Sequence, residues 1–257
     1  MPTNPAPPTA ALAPALALQG VSYEYAPGIP ALLEVHLEVP VGQSLALLGA
    51  NGSGKSTLLK ILAGLLMPTR GRMLAWGTPL DRRFWQDDAR ASAFRRRVGL
   101  LMQNSDAQLF CTTVWEEIAF GPAQLGLEGH ALQARVQEAL ELLQIGPLAG
   151  RSPHRLSGGE KKKVALAAIL ALKPEILLLD EPSTGLDPRS QAWLAAFLSQ
   201  LHAAGHTLVL ASHDLDLVGK VCISGVILGE DHRVMASGSI PRLLGDSALL
   251  RQANLIA

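Results

Sequence analysis

The chain has 257 residues, 48% of them hydrophobic and 17% charged. That size lies between one large domain and two small ones, and the composition buries enough apolar surface to exclude disorder along the whole chain. Lysine plus arginine (22) balances aspartate plus glutamate (22), so no global basic field gathers nucleic acid from a distance.

The opening stretch, Met1 to Pro14, is rich in proline and alanine and reads as a disordered low-complexity tail. It lacks the basic stretch of a secretory signal. From Ala17 to Pro40, short strands are expected at Leu16–Leu18, Val21–Tyr23 and Val35–Val39, broken by Pro27-Gly28 and Pro30. This hairpin-rich start predicts a small antiparallel sheet. Gln43 to Leu48 reads as an apolar strand, a glycine-rich turn follows, and Ser56 to Leu66 carries the helical period through Leu58, Leu59, Ile61, Leu62 and Leu65. Val98–Met102, Ile176–Asp180 and Thr207–Ser212 are short apolar runs ending in polar residues, as in a parallel sheet covered on both faces.

Between these strands, from about Asp106 to Leu172, the pattern is helical: Leu132, Val136, Ala139, Leu140 and Leu143 repeat until Gly146-Pro147 stops the run. A short helix over Leu215–Gly219, strands at Val226–Leu228 and Arg233–Ala236, and a helical stretch from Pro241 complete the order. The longest uninterrupted apolar run, Val164–Leu172, is about half of the ~20 residues that cross a bilayer, so no membrane span is expected. Cys111 and Cys222 form neither a CxxC pair nor a disulfide framework, in keeping with a reducing compartment. The fold class read from this order is α/β: a parallel sheet core, an N-terminal antiparallel β subdomain and an inserted helical subdomain.

Gly49-Ala50-Asn51-Gly52-Ser53-Gly54-Lys55-Ser56 fits G-x-x-x-x-G-K-[ST] between a predicted strand and a predicted helix, the context this motif requires. Glycines let backbone N–H groups turn inward around phosphates, and the helix N-terminus adds its positive end. The candidate phosphate contacts are Asn51, Gly52, Ser53, Gly54, Lys55, Ser56 and Thr57. Lys55 would reach the β- and γ-phosphates and the Ser56 hydroxyl would ligate Mg²⁺. Ile176-Leu177-Leu178-Leu179-Asp180-Glu181 supplies a buried strand ending in two acids, at the sheet end where ligands gather. Asp180 would face Mg²⁺, and Glu181 is placed to polarise an attacking water.

Leu156-Ser157-Gly158-Gly159-Glu160 precedes a helix that starts near Lys161 and forms a second anion-seeking N-terminus. With these motifs the chain resembles the ATP-binding cassette (ABC) family, in which those five residues are the signature. The resemblance covers nearly everything after the tail. It implies a P-loop NTPase with a RecA-like core, one ATPase domain over 15–257 with a helical subdomain at about 106–172, ATP and Mg²⁺ as cofactors, and a dimer. In such a dimer Ser157, Gly158 and Gly159 of one subunit would face the phosphate loop of another, a second copy or a paralogue. The resemblance further makes Gln103 the glutamine that senses Mg²⁺ and the attacking water. Ser183 to Asp187 becomes the loop that crosses the dimer interface, His213 the switch histidine at the γ-phosphate, and Tyr25 the aromatic that stacks on adenine. Tyr23 competes with Tyr25 for that place.

Gln103 to Phe110, continuing through Thr113-Val114 to Ala119-Phe120-Gly121-Pro122 and Leu125-Gly126-Leu127, resembles the ATPases of energy-coupling-factor importers, especially those for cobalt or nickel. In that group this stretch receives coupling helices of a membrane subunit, which places Asp106 and Gln108 at the contact and makes Asp106–Phe120 the docking region. A substrate-binding membrane component is implied as well, for a cobalt or nickel cation or a vitamin, with the ATPase peripheral on the cytoplasmic face of the cell membrane. The sequence departs from the group at Ser105, where proline is common, at Ala107, where an acid is common, and at Glu160, where glutamine is frequent. Lys161-Lys162-Lys163 also matches the cobalt branch, although a lysine run is ordinarily a solvated helix face. Arg82, Arg83, Arg90, Arg95, Arg96 and Arg97 read as solvated and partly ion-paired rather than as a nucleic-acid surface. Two other readings share the cassette chemistry: another ABC transporter motor, efflux included, and a soluble ABC ATPase acting on ribosomes or DNA. The latter usually carries two cassettes or a coiled-coil insertion, and this chain has neither.

Overall fold

A long hairpin begins the fold in the computed structural model, which describes residues 13–256. The tail expected over 1–14 lies outside the described residues except for Ala13 and Pro14. β1 (Leu16–Ala26) and β2 (Ile29–Val39) pair antiparallel. The two strands expected before residue 24 are one strand with a bulge: Gly20 takes a φ of +60° and the register slips between Leu18 and Val21. β3 (Ser44–Gly49) and α1 (Lys55–Leu62) follow. β4 (Arg70–Ala75) then returns to the free edge of β1 and β5 (Thr78–Pro79) pairs with β4, completing a four-stranded sheet in the order β2-β1-β4-β5.

The short helices α2 (Arg82–Gln86) and α3 (Asp88–Arg97) start on Asp81 and Asp87, whose carboxylates accept from the N–H of Phe84 and Arg90. They carry the arginine cluster. Arg97 forks onto Glu175 at 2.6 Å while its guanidinium lies 3.3 Å from the centre of the Trp76 ring, and Arg95 stands 5.8 Å from the Trp85 ring. Part of the cluster is thus packed on indoles, a mode of burial that charge patterning alone does not reveal.

β6 (Val98–Leu101) leads into the helical segment: a 3₁₀ turn at Ser105–Ala107, α4 (Val114–Gln124), α5 (Gly129–Leu142) and α6 (Gly158–Leu170). The chain returns to the sheet with β7 (Ile176–Asp180), α7 (Pro188–Ala203) and β8 (Thr207–Ala211). It finishes with α8 (Leu215–Val221), β9 (Ser224–Leu228), β10 (Val234–Ser239), α9 (Ile240–Gly245) and α10 (Ser247–Gln252). The second sheet runs β10-β9-β3-β8-β7-β6, parallel except for β10.

Strand parity explains why the middles of β3 and β7 carry apolar residues at consecutive positions. Leu45, Leu47, Ile176 and Leu178 pack with α1 and the antiparallel sheet, whereas Ala46, Leu48, Leu177 and Leu179 pack with residues of α4 to α8. Each fully buried leucine contributes roughly 1.5–3 kcal/mol, and a sheet covered on both faces leaves no polar alternation. The same parity sends Asp180, two residues beyond Leu178, to the α1 face. No helix among the described residues is long and apolar enough to cross a membrane.

Candidate functional site

The carboxyl ends of β3, β6, β7 and β8 converge on the N-terminus of α1. Between β3 and α1 the backbone curls through left-handed glycines, Gly49 at φ +147°, Gly52 at +86° and Gly54 at +106°. A Cβ on Gly54 would lie 2.3 Å from the carbonyl oxygen of Ala31, and one on Gly49 2.6 Å from that of Leu228. Only glycine fits either place. Gly54 caps α1 without a side chain, so the first N–H groups of the helix stay open to a ligand. The Ser53 hydroxyl is buried with no partner, a further unmet polar group in the loop.

Lys55 is 6% exposed; its ammonium donates to the carbonyls of Gly49 and Ala50 at 2.8 and 3.0 Å and stands 3.8 Å from Glu181 Oε1. Burial holds its pKa below the ordinary lysine value, against the pull of Glu181 and Asp180. The Ser56 hydroxyl donates to Asp180 Oδ1 at 2.9 Å, which juxtaposes two hard oxygen donors of the kind Mg²⁺ takes. Burial pushes the Asp180 carboxyl up and the charge of Glu181 adds to the rise, while the Ser56 hydrogen bond works against it.

A raised carboxyl pKa means that the ionised form costs folding free energy, in full above the folded-state pKa. The cost fades as pH falls below that value and is absent below the unfolded one, about 3.9. Asp180→Asn should therefore raise the melting temperature of the nucleotide-free protein at pH 7, and the gain should vanish on acidification. Calorimetry across pH checks this, and an unchanged or lower melting temperature at pH 7 would contradict it.

Glu181 takes a left-handed φ of +43°, and its N–H continues the ladder by donating to Ala211. Its Oε2 receives the Ser212 hydroxyl and the His213 N–H at 3.4 Å and lies 2.9 Å from His213 Nδ1. The predicted acid and the predicted switch histidine are thus brought together. Tyr25 and Thr57 share a hydrogen bond at 3.0 Å, and Tyr23 stands edge-on to Tyr25. A cleft of about 520 Å³ unites Tyr25, Asn51, Gly52, Gly54, Lys55, Ser56, Thr57, Gln103 and Glu181 with three residues the sequence did not single out, Pro30, Ala31 and His232.

Ser157, Gly158, Gly159 and Asp187 are not among the residues lining that cleft. Ser157 caps α6 in a reciprocal box with Glu160, whose carboxylate receives both the N–H and the hydroxyl of Ser157 at 2.8 Å. Asp187 caps α7 through Ser190, which holds its carboxyl below the usual range. A Cβ on Gly159 would fall 2.7 Å from the Ser190 hydroxyl, so this glycine lets the two helix starts lie side by side.

The lysine run is not a solvated face. Lys161 pairs with Asp106 at 2.6 Å, Lys163 lies 4.5 Å from the centre of the Trp193 ring, and Lys162 is 3% exposed and donates to the carbonyl of Gln103 at 3.2 Å. Successive helical residues turn by about 100°, so three adjacent lysines cannot share one face, a signal that was present in the sequence. Gln108 also turns inward: its amide donates to the Leu100 carbonyl and accepts from the Met102 N–H at 2.9 and 3.1 Å. It braces the end of the edge strand β6.

The family model described as ABC transporter matches residues 32–184, more than half of the chain. The chain belongs to the ABC transporter family. The "Nickel import ATP-binding protein NikO" of Rhodobacter capsulatus is 51% identical to this ABC ATPase over 248 residues, 95% of this chain and 97% of the relative. Among solved structures, cbiO1 from Clostridium perfringens, described as part of the ABC transporter complex cbiONQ, matches with a TM-score of 0.81 and 32% identity over 95% of each chain. The ATP-binding cassette MJ0796, in a dimeric post-hydrolysis state bound to ADP and Pi, matches with a TM-score of 0.78 and 27% identity, over 88% of this chain and 98% of its own. The cleft is accordingly the place to look for ATP and its hydrolysis.

Proposed function

We propose that this ABC ATPase is the motor subunit of an energy-coupling-factor type importer. It powers uptake of a nickel or cobalt cation through a membrane partner and is peripheral on the cytoplasmic face of the membrane. The observation that carries the reading is the one-sided cleft. The phosphate loop, Gln103 and Glu181 line it, while Ser157 and Gly158, exposed at the start of α6, are not among its lining residues on the same chain. Two such chains, or this chain and a paralogue, would each close the other's cleft with Ser157, Gly158 and Gly159, and Asp187 would border the interface. The dimeric MJ0796 cassette supports this.

In the proposed mechanism Tyr25 stacks on adenine, the N–H groups of residues 51–57 and the Lys55 ammonium hold the triphosphate, and Glu181 accepts the proton of the attacking water. His213, against Glu181, orients that carboxylate and meets the γ-phosphate. Ser56 and Asp180 suit Mg²⁺, with Gln103 at the rim; when bound, the ion neutralises phosphate charge. Lys162 and Lys161 tie the start of α6 to Gln103 and Asp106, so closure at the signature moves the segment leading to Phe120.

That segment carries exposed aromatics: Phe110 is 62% and Phe120 46% exposed, packed edge to face on each other at 4.9 Å, and Trp115 at the start of the helix that carries Phe120 is 37% exposed. Apolar side chains of this size on a surface fit a protein contact, and they, more than Gln108, are the docking groups. A Phe110→Asp/Phe120→Asp double variant should copurify with at least tenfold less membrane subunit from detergent extracts and lose nickel and cobalt uptake, while its melting temperature stays near that of the parent. Undiminished recovery of the membrane subunit would remove this surface from the interface. Uptake of a labelled vitamin in place of either metal would reassign the cargo.

A further inference from the structure

One polar residue lining the cleft has no role in the mechanism above: His232. His232 lies in the tight turn between β9 and β10, where its N–H donates to the Gly229 carbonyl at 3.0 Å and Gly229 N–H donates to the Arg233 carbonyl at 2.9 Å. Its φ is +64°, in the left-handed region where a side-chain-bearing residue persists only when its surroundings hold it. Those surroundings are the first hairpin. Leu33 N–H donates to the His232 carbonyl at 2.9 Å, and the Arg233 guanidinium donates to the Glu34 carboxylate at 2.5 Å. Glu34 is itself left-handed, at φ +51°, with its N–H on the Ser22 hydroxyl at 2.9 Å. The turn is thus clamped to the residues that directly follow Pro30 and Ala31, two other walls of the cleft.

The ring is sealed on one edge, since Nδ1 is buried without a partner. A buried lone pair without a donor is tolerated better than a buried N–H without an acceptor, so the neutral ring carries its proton on Nε2, the atom left to serve the cleft. Asn51, Gly52 and Gly54 to Thr57 give the cleft its phosphate loop, with Gln103 and Glu181 beside it. Tyr25, Pro30 and Ala31 of the first hairpin, and His232 clamped to that hairpin, supply the rest of the lining, the Tyr25 side where the nucleoside would lie.

We propose that His232 is a nucleoside-contacting residue, its Nε2–H donating to an acceptor on the ribose or the purine ring, so that the site prefers a nucleoside triphosphate to a bare polyphosphate. The inference rests on reading the cleft as the nucleotide site.

Calorimetric titration of the full chain and of His232→Gly and His232→Asn with ATP, 2′-deoxyATP and inorganic tripolyphosphate tests it. His232→Gly should weaken ATP about five- to tenfold, the size of one hydrogen bond, and leave tripolyphosphate affinity unchanged. Its melting temperature should not fall, because glycine accepts the left-handed backbone freely. His232→Asn, which also tolerates that backbone and keeps a donor, should recover part of the affinity. Loss of the parental discrimination between ATP and 2′-deoxyATP in His232→Gly assigns the ribose, and retained discrimination assigns the base. Equal ATP affinity in parent and His232→Gly would overturn the proposal, as would an equal loss for ATP and tripolyphosphate, which would mean that His232 acts through the phosphate loop. A parent chain that binds no ATP would instead overturn the nucleotide-cleft reading itself.

Discussion

Glu181→Gln should lower ATP turnover by about 10²- to 10⁴-fold, which corresponds to roughly 3–5 kcal/mol of barrier, while ATP still binds. The amide keeps the shape of the carboxylate but cannot take a proton from water. The surroundings tolerate the exchange, since Oε2 receives the Ser212 hydroxyl and the His213 N–H, and an amide oxygen accepts as well as a carboxylate oxygen does. Binding proceeds and chemistry stops, so the closed dimer should accumulate. Size-exclusion chromatography with ATP should show the variant at twice the parent's apparent mass, and single-turnover assays should show no phosphate release. A variant that hydrolyses ATP at the parental rate would remove Glu181 as the base.

Lys55→Ala should act one step earlier, weakening ATP binding about a hundredfold, the order expected when a buried charge-assisted contact is deleted. In the nucleotide-free chain the ammonium is held by the Gly49 and Ala50 carbonyls, so it is already poised inside the loop when the triphosphate arrives. Burial lowers its pKa, which gives the parent a signature that the variant lacks. As pH rises through that lowered value the ammonium is lost, and parental affinity for ATP should fall, whereas the affinity of Lys55→Ala should not follow the same curve. Titration at several pH values checks both parts. Unchanged affinity in the variant at pH 7 would contradict the phosphate-loop assignment.

Much of the site was legible because its chemistry is local. Residues 49–56 combine a strand end, three left-handed glycines and a helix start within a single turn, so the motif carries its own geometry. The pair Asp180-Glu181 was legible for a similar reason, since a short run of four apolar residues ending in acids fits a buried parallel strand that delivers them to the carboxyl end of the sheet. β4 was missed because Arg70-Gly71-Arg72 shows no alternation; those residues are strand only because the free edge of β1 accepts their hydrogen bonds. The burial of Lys162 is not legible in a lysine run that ordinarily forms a solvated face, because burial of a charge depends on what packs over it, here the Gln103 carbonyl. His232 gave no signal at all. It stands about 180 residues beyond the phosphate loop, and only the clamp between its turn and the first hairpin carries it to the cleft.

The sequence by itself determined most of the parallel-sheet strands and the main helices, the phosphate loop, the two acids and the signature, since each depends on residues within a few positions of one another. The tertiary structure decided which of these share a cleft. Asp180 meets Ser56 because strand parity turns it toward α1. Ser157 and Gly158 lie outside the cleft because α6 starts against the beginning of α7, and His232 lies inside it because two left-handed residues lock a distant turn in place. Contacts between residues far apart in the chain follow from how the layers pack, and that is written in no single segment.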